Sequence, residues 1–196
     1  MQIRVFIYDD NHPRRDSLKA LIELSPEMSF CGEAVNCINV NRDMETGFPD
    51  VVSRGQGGLL DVALDPIFNS NKMIYWSFSE SYDGANLMAV AKGKLNETTG
   101  LVENPTVIFR ATPALNSGLH FGSRLVFDKD GFLFVSTGER SNMEGRKQAQ
   151  WLSSGLGKIF KITKEGKPAS GNPFLNQSNS MGEIFAYGIR NSQSLD

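Results

Sequence analysis

The stretch "NSGLHFGSR", residues 116 to 124, holds one of only two histidines in the chain. Imidazole is the side chain whose ordinary pKa lies near neutrality, so His120 is a candidate general base. The other possibility is a loop histidine with a satisfied hydrogen bond. Other candidate chemistry is thinner. Cys31 and Cys37 are the only cysteines and no histidine lies near them, so reduced thiols are expected rather than a metal site. The run Asp128-Lys129-Asp130-Gly131 starts like a calcium loop but lacks the downstream ligands, and a hairpin turn is expected there instead. "SSGLGK" has Leu152 where a phosphate-binding loop requires its first glycine.

Composition narrows the function classes. The 196 residues are 40% hydrophobic and 21% charged, with a formal net charge of −2. That balance gives no electrostatic reason to expect nucleic acid as a partner. No apolar run approaches the roughly 20 residues of a membrane span. The opening "MQIRVFIYDDNHPRR" is broken by two aspartates and does not read as a secretory signal.

The elements that must position these residues fall into two groups. Residues 1 to 52 read as α/β: "IRVFIY" as a buried strand, then a helix capped by Asn11 with Pro13 in its first turn. "MSFCGEA" reads as a second strand, 38 to 46 as a weaker helix and "PDVV" as the start of a third strand. This alternation predicts a parallel sheet. From residue 53 the apolar stretches become short and turn-punctuated: "LLDVALDP", "KMIYWSFSES", "LMAVAKGKL", "TVIFRAT", "SRLVFDKDGFLFVSTGE", "GKIFKITKEGKP" and "GEIFAYGIRN". These predict an all-β sandwich, barrel or propeller, with "RLVFDKDGFLFVS" as the clearest hairpin. Charge divides at the same place, from a net −4 over residues 1–52 to a net +2 beyond them.

The motifs "IRVFIYDDNHPRRDSLKALIEL", "CGEA" and "PDVV" resemble the opening of a response-regulator receiver domain. The resemblance implies that Asp9 and Asp10 are the acids of a Mg²⁺ site, consistent with that ion's demand for hard oxygen ligands. It also places Gly55 where the phosphoacceptor aspartate would stand, so phosphotransfer is not expected.

From residue 54 to the end, "GQGGLLDVALDPIF", "SGLHFGSRLVFDKDGFLFVSTGER", "LGKIFKITKEGKPASGNPF" and "EIFAYGIRNSQSL" closely resemble the pyrroloquinoline-quinone (PQQ)-dependent aldose dehydrogenases, the glucose/sorbosone dehydrogenase family. The resemblance implies a six-bladed β-propeller. At roughly 40–50 residues per blade, about three blades are expected here. The expected architecture is therefore mainly β: a partial propeller over 53–196, preceded by a truncated flavodoxin-like α/β receiver fragment over 1–52.

The same resemblance assigns roles. His120 is the base that removes the proton of the anomeric hydroxyl as hydride passes to PQQ. Gln56 binds substrate, and Arg190 and Asn191 lie near the quinone, the arginine stabilising charge on its oxygen. Calcium and an external electron acceptor are implied as well, with an aldose as substrate. Leu119 stands where the soluble glucose dehydrogenase branch has an aspartate before the histidine, so a base without that partner is expected. Ser192 stands where proline usually follows the Arg-Asn pair. The chain alone is expected to be inactive. Two alternatives are a degenerate receiver signalling fragment and a non-catalytic half-propeller that binds sugar or protein. The family is typically exported, which the N-terminus does not reflect.

Overall fold

The computed structural model describes residues 3–8, 12–24, 28–34, 51 and 55–195. The chain divides into two compact units, Met1–Asp43 and Met44–Asp196. In the first, β1 (Ile3–Tyr8) and β2 (Met28–Ala34) pair in parallel, joined by α1 (His12–Glu23). The register runs from Ile3 opposite Met28 to Tyr8 opposite Ala34, with one irregularity between Val5 and Phe6. The helix packs on both strands and buries Ile22. Asp9, Asp10, Asn11, Cys37 and the helix expected over 38–46 lie outside the described residues, while Cys31 lies on β2. The expected third parallel strand requires correction. Val51 of "PDVV" makes an antiparallel bridge to Glu80, and its side chain packs with the cluster around Trp76 and Phe78. Apolar burial in the second unit decides its pairing.

The second unit contains two four-stranded antiparallel sheets. The first consists of β3 (Leu59–Leu64), β4 (Met73–Tyr82), β5 (Ala85–Leu95) and β6 (Val102–Arg110), adjacent in chain order, with a short α2 (Phe68–Asn71) between β3 and β4. The second consists of β7 (Gly122–Phe127), β8 (Leu133–Thr137), β9 (Lys158–Ile162) and β10 (Ile184–Tyr187), again adjacent in chain order, with α3 (Met143–Gln148) between β8 and β9. Every apolar stretch singled out from residue 53 onward forms a strand. Two sheets stand where about three blades were expected, because the connections over 138–157 and 163–183 consume the length of another blade. The hairpin turn is as expected. Asp128 Oδ1 accepts from the backbone of Asp130 and Phe132, and Gly131 takes a φ of 83°.

The central strands β4 and β5 of the first sheet are buried on both faces through most of their length, whereas β3 and β6 are partly exposed. One face carries Trp76, Phe78, Leu87, Ala89 and Ala91. The other carries Tyr75, Met88, Val90 and Phe109, which pack with Leu133, Val135, Phe160, Ile162 and Ile184 of the second sheet. Phe109 and Phe160 meet with ring centroids 4.6 Å apart. Each such side chain contributes about 1.5–3 kcal/mol by leaving water. Polar bonds fix how the sheets meet: Ser77 Oγ donates to Ser123 O at 2.6 Å and Leu125 N to Asp61 Oδ2 at 2.9 Å. Lys164 Nζ donates to Asp65 Oδ1 at 2.8 Å.

Candidate functional site

In both sheets the first strand begins, the second ends, the third begins and the fourth ends at one edge. Loops 55–58, 111–121, 138–157 and 188–191 therefore gather there. Gln56 N donates to Gly118 O at 2.7 Å, and Gln56 Oε1 accepts from His120 N at 2.9 Å. Gly55, at a φ of 63°, passes so close to Gly118 that a Cβ would strike its carbonyl oxygen. Gly138 stands equally close to the carbonyl of His120. Asn191 Oδ1 accepts from Gly122 N at 2.9 Å, and Arg190 O accepts from Glu139 N at the same distance. His120 itself takes a φ of 50°, a left-handed conformation that costs a non-glycine residue and is held by these bonds.

His120 Nδ1 lies 2.6 Å from Glu139 Oε1, with only 3% of the Glu139 side chain and 17% of the His120 side chain exposed. A carboxylate only accepts, so Nδ1 carries the proton of the neutral ring and Nε2 keeps its lone pair. The aspartate expected to be missing before the histidine is missing: Leu119 stands there, exposed, and the ring takes a different carboxylate, from Glu139 just beyond β8. The β7–β8 hairpin causes this, since Gly122 faces Thr137 and so brings the residues flanking that pair together. Glu139 Oε2 is buried and makes no hydrogen bond among the described residues. Arg146 Nε lies 3.5 Å from it, an ion contact longer than a hydrogen bond.

Two buried cations frame the dyad. Arg140, 1% exposed, donates to Asn86 O at 3.0 Å, to Leu119 O at 3.2 Å, and to Asn86 Oδ1 and Ser117 O. Its guanidinium lies 3.9 Å from the centre of the Phe121 ring. It thus ties the His120 loop to the first sheet, and burial pushes its pKa down to about 10. Lys158 is fully buried, its ammonium donating to the carbonyls of Gln148 at 3.0 Å, Ala149 at 2.9 Å and Leu156 at 2.6 Å. Burial lowers its pKa to about 8. Lys158 closes the C-terminal end of α3, and Gly157 N donates to Gly138 O beside Glu139.

The four residues marked from the sequence, Gln56, His120, Arg190 and Asn191, all lie at this edge. Gln56 and Asn191 each use their side-chain oxygen on the backbone of the His120 loop, whereas the Arg190 side chain is exposed. Glu139, Arg140 and Lys158 escaped the sequence reading. Their only signal is charge placed just after an apolar strand or at the start of one. No group of three or more His, Cys, Asp or Glu among the described residues could hold a metal ion. Asp65 and Asp128 are each paired with a lysine, and Asp61 accepts from the Leu125 backbone. No helix among the described residues is long and apolar enough to cross a membrane.

Comparison with known proteins agrees with this geometry. The Glucose / Sorbosone dehydrogenase family profile matches residues 34–196. The aldose sugar dehydrogenase YliI of Escherichia coli (strain K12) is 42% identical over 151 residues, 76% of this chain and 40% of the relative. The apo crystal structure of the soluble aldose sugar dehydrogenase from Escherichia coli superimposes with a TM-score of 0.69 at 43% identity, over 74% of this chain and 42% of that one. The PQQ-bound aldose sugar dehydrogenase from Streptomyces coelicolor gives a TM-score of 0.60 at 32% identity, over 73% and 40%. The chain spans about two fifths of the length of these relatives. With two propeller-type sheets and a histidine–carboxylate pair between their loops, the chain belongs to the glucose/sorbosone dehydrogenase family.

Proposed function

We propose that this chain carries the substrate-side part of a PQQ-dependent aldose sugar dehydrogenase, which oxidises the anomeric hydroxyl of an aldose to a lactone. The observation that carries the proposal is the His120–Glu139 pair, held by Gln56 and the Arg190 backbone at one edge of the two sheets. His120 Nε2 takes the hydroxyl proton. Glu139 keeps the ring oriented and balances the positive charge that the ring then gains. A bound quinone supplies the acceptor for the hydride. The exposed guanidinium of Arg190 suits an anionic quinone, and it lies in a neighbourhood richer in cations than in acids. The external electron acceptor belongs to the whole enzyme, as does calcium.

Relatives are more than twice as long, so the 196-residue chain alone is proposed to be inactive: the quinone would lack most of its contacts. Quinone titration followed by dye-linked aldose oxidation tests this. We expect neither quinone retention at micromolar concentration nor turnover by the chain alone. Appending the remaining length from a relative should give activity, and His120→Ala should abolish it. Turnover by the chain alone would refute the inactivity, and indifference to His120→Ala would refute the assignment of the base.

The reading of residues 1–52 as receiver-like rests on the parallel β1–α1–β2 unit over Ile3–Ala34 alone, because the family match already covers residues 34–52. Gly55 belongs to the loop that holds Gly118, so acetyl phosphate should leave the N-terminal unit unlabelled.

A further inference from the structure

Glu139 has a second neighbourhood besides His120. Together with Arg146, Gln150 and Arg190 it lines a cavity of about 360 Å³ walled by Ala149 and Gly188. Charge around this cavity is uneven. The Arg146 side chain is half exposed and the Arg190 side chain is exposed. Behind the wall, the Lys158 ammonium bonds the carbonyl of Ala149, and Arg140 follows Glu139 in the chain; the bonds of both go to backbone carbonyls and one amide oxygen, not to carboxylates. Against these four cations stands Glu139, whose Oε1 is already taken by His120. Glu144, the acid on α3, accepts from Gln148. The Arg146–Glu139 contact, at 3.5 Å, leaves the guanidinium without a close carboxylate partner. Planar guanidinium and carboxylate groups join by two parallel hydrogen bonds, stronger than the neutral bonds a hydroxyl offers.

We propose that this cavity binds the carboxylate of an acidic aldose, a sugar of the uronic acid type, with Arg146 as the residue that selects it. The proposal rests on the sugar-oxidising reading above and narrows its substrate. Arg146 exchanges its loose contact with Glu139 for a two-pronged contact with the ligand, while Gln150 closes the other side and Arg190 is left to the quinone.

The test is calorimetric or saturation-transfer NMR binding of glucuronate and glucose to the 196-residue chain, with no quinone present. Glucuronate should bind at least about tenfold more tightly than glucose, the yield of one charge-assisted bond. The preference should shrink as salt is added. Arg146→Met and Arg146→Gln should both lose it while keeping the circular dichroism of the parent. Equal affinity for the two sugars, or a preference retained in either variant, overturns the proposal. So does quinone binding that depends on Arg146 without any preference for glucuronate, which would assign the carboxylate to the quinone. Failure of the underlying reading would appear separately, as a lengthened enzyme that binds glucuronate but oxidises no aldose.

Discussion

His120 Nδ1 and Glu139 Oε1 meet at 2.6 Å across the open end of a hairpin, although 19 positions separate the two residues. The pairing fixes which ring nitrogen carries the proton. Glu139→Gln should therefore leave the fold intact but mix the two ring tautomers, visible in the ¹⁵N chemical shifts of His120. In an enzyme lengthened to full size, the same change should lower kcat by at least about 100-fold, the lower end of what a positioned base contributes. An unchanged tautomer and rate would remove Glu139 from the mechanism.

Gly138 leaves no room for a side chain beside the His120 carbonyl. Gly138→Ala should cost about 1–3 kcal/mol in urea unfolding, the usual penalty for forcing an extra carbon into packed structure. It should also displace the His120 loop, seen as shifted backbone amide resonances at 118–122. Gly100→Ala makes a useful control for space, because a Cβ there meets nothing, although its φ of 74° adds strain. A Gly138→Ala variant as stable as the parent would show that the loop can move aside.

Lys158 is held charged by three carbonyls in the interior. Lys158→Met removes a buried charge; Gln148 O and Ala149 O keep the backbone N–H groups of Trp151 and Gly188, whereas Leu156 O loses the ammonium, at about 1–3 kcal/mol. A net loss within that range is expected. The pH dependence gives a sharper signature. Burial lowers the folded pKa from 10.5 to about 8, so between these values the unfolded chain binds more protons than the folded one. Stability contributed by this group therefore rises as the pH climbs from about 8 to 10.5. That rise should be present in the parent and missing in Lys158→Met when urea midpoints are compared at pH 7.5 and 10.

Asp65 shifts in the same direction for a different reason and in the acid range. Burial alone would raise its carboxyl pKa, but hydrogen bonds from Lys164 and the Ile67 backbone and the Lys164 charge outweigh it and hold the value below the ordinary 3.8. The stability it contributes is complete above that ordinary value and is lost as the pH falls through the lowered folded one. Asp65→Asn should flatten the acid limb of the urea midpoint between pH 5 and 2.5. An unchanged limb would mean that the Lys164 contact across the two sheets contributes nothing.

The sequence by itself determined the strands of the second unit and their turn chemistry. Alternation and Asp/Gly punctuation are local signals, and every stretch from "LLDVALDP" to "GEIFAYGIRN" became a strand. It also pointed to the edge where chemistry gathers, because Gln56, His120, Arg190 and Asn191 sit in loops recognisable by resemblance. The count of sheets was less legible, since nothing local to 138–157 or 163–183 says how much chain a connection will use. The partner of His120 was invisible for a different reason. Inspection of its chain neighbour found Leu119, whereas antiparallel pairing of β7 with β8 delivered Glu139 from the far end of the hairpin. Arg140 and Lys158 likewise looked like ordinary surface charges, and only the closing of the loops around them turned each into a buried cation bonded to backbone carbonyls. A side chain's type is written locally, but its partner and its solvent are decided by which strand ends the fold brings to the same edge.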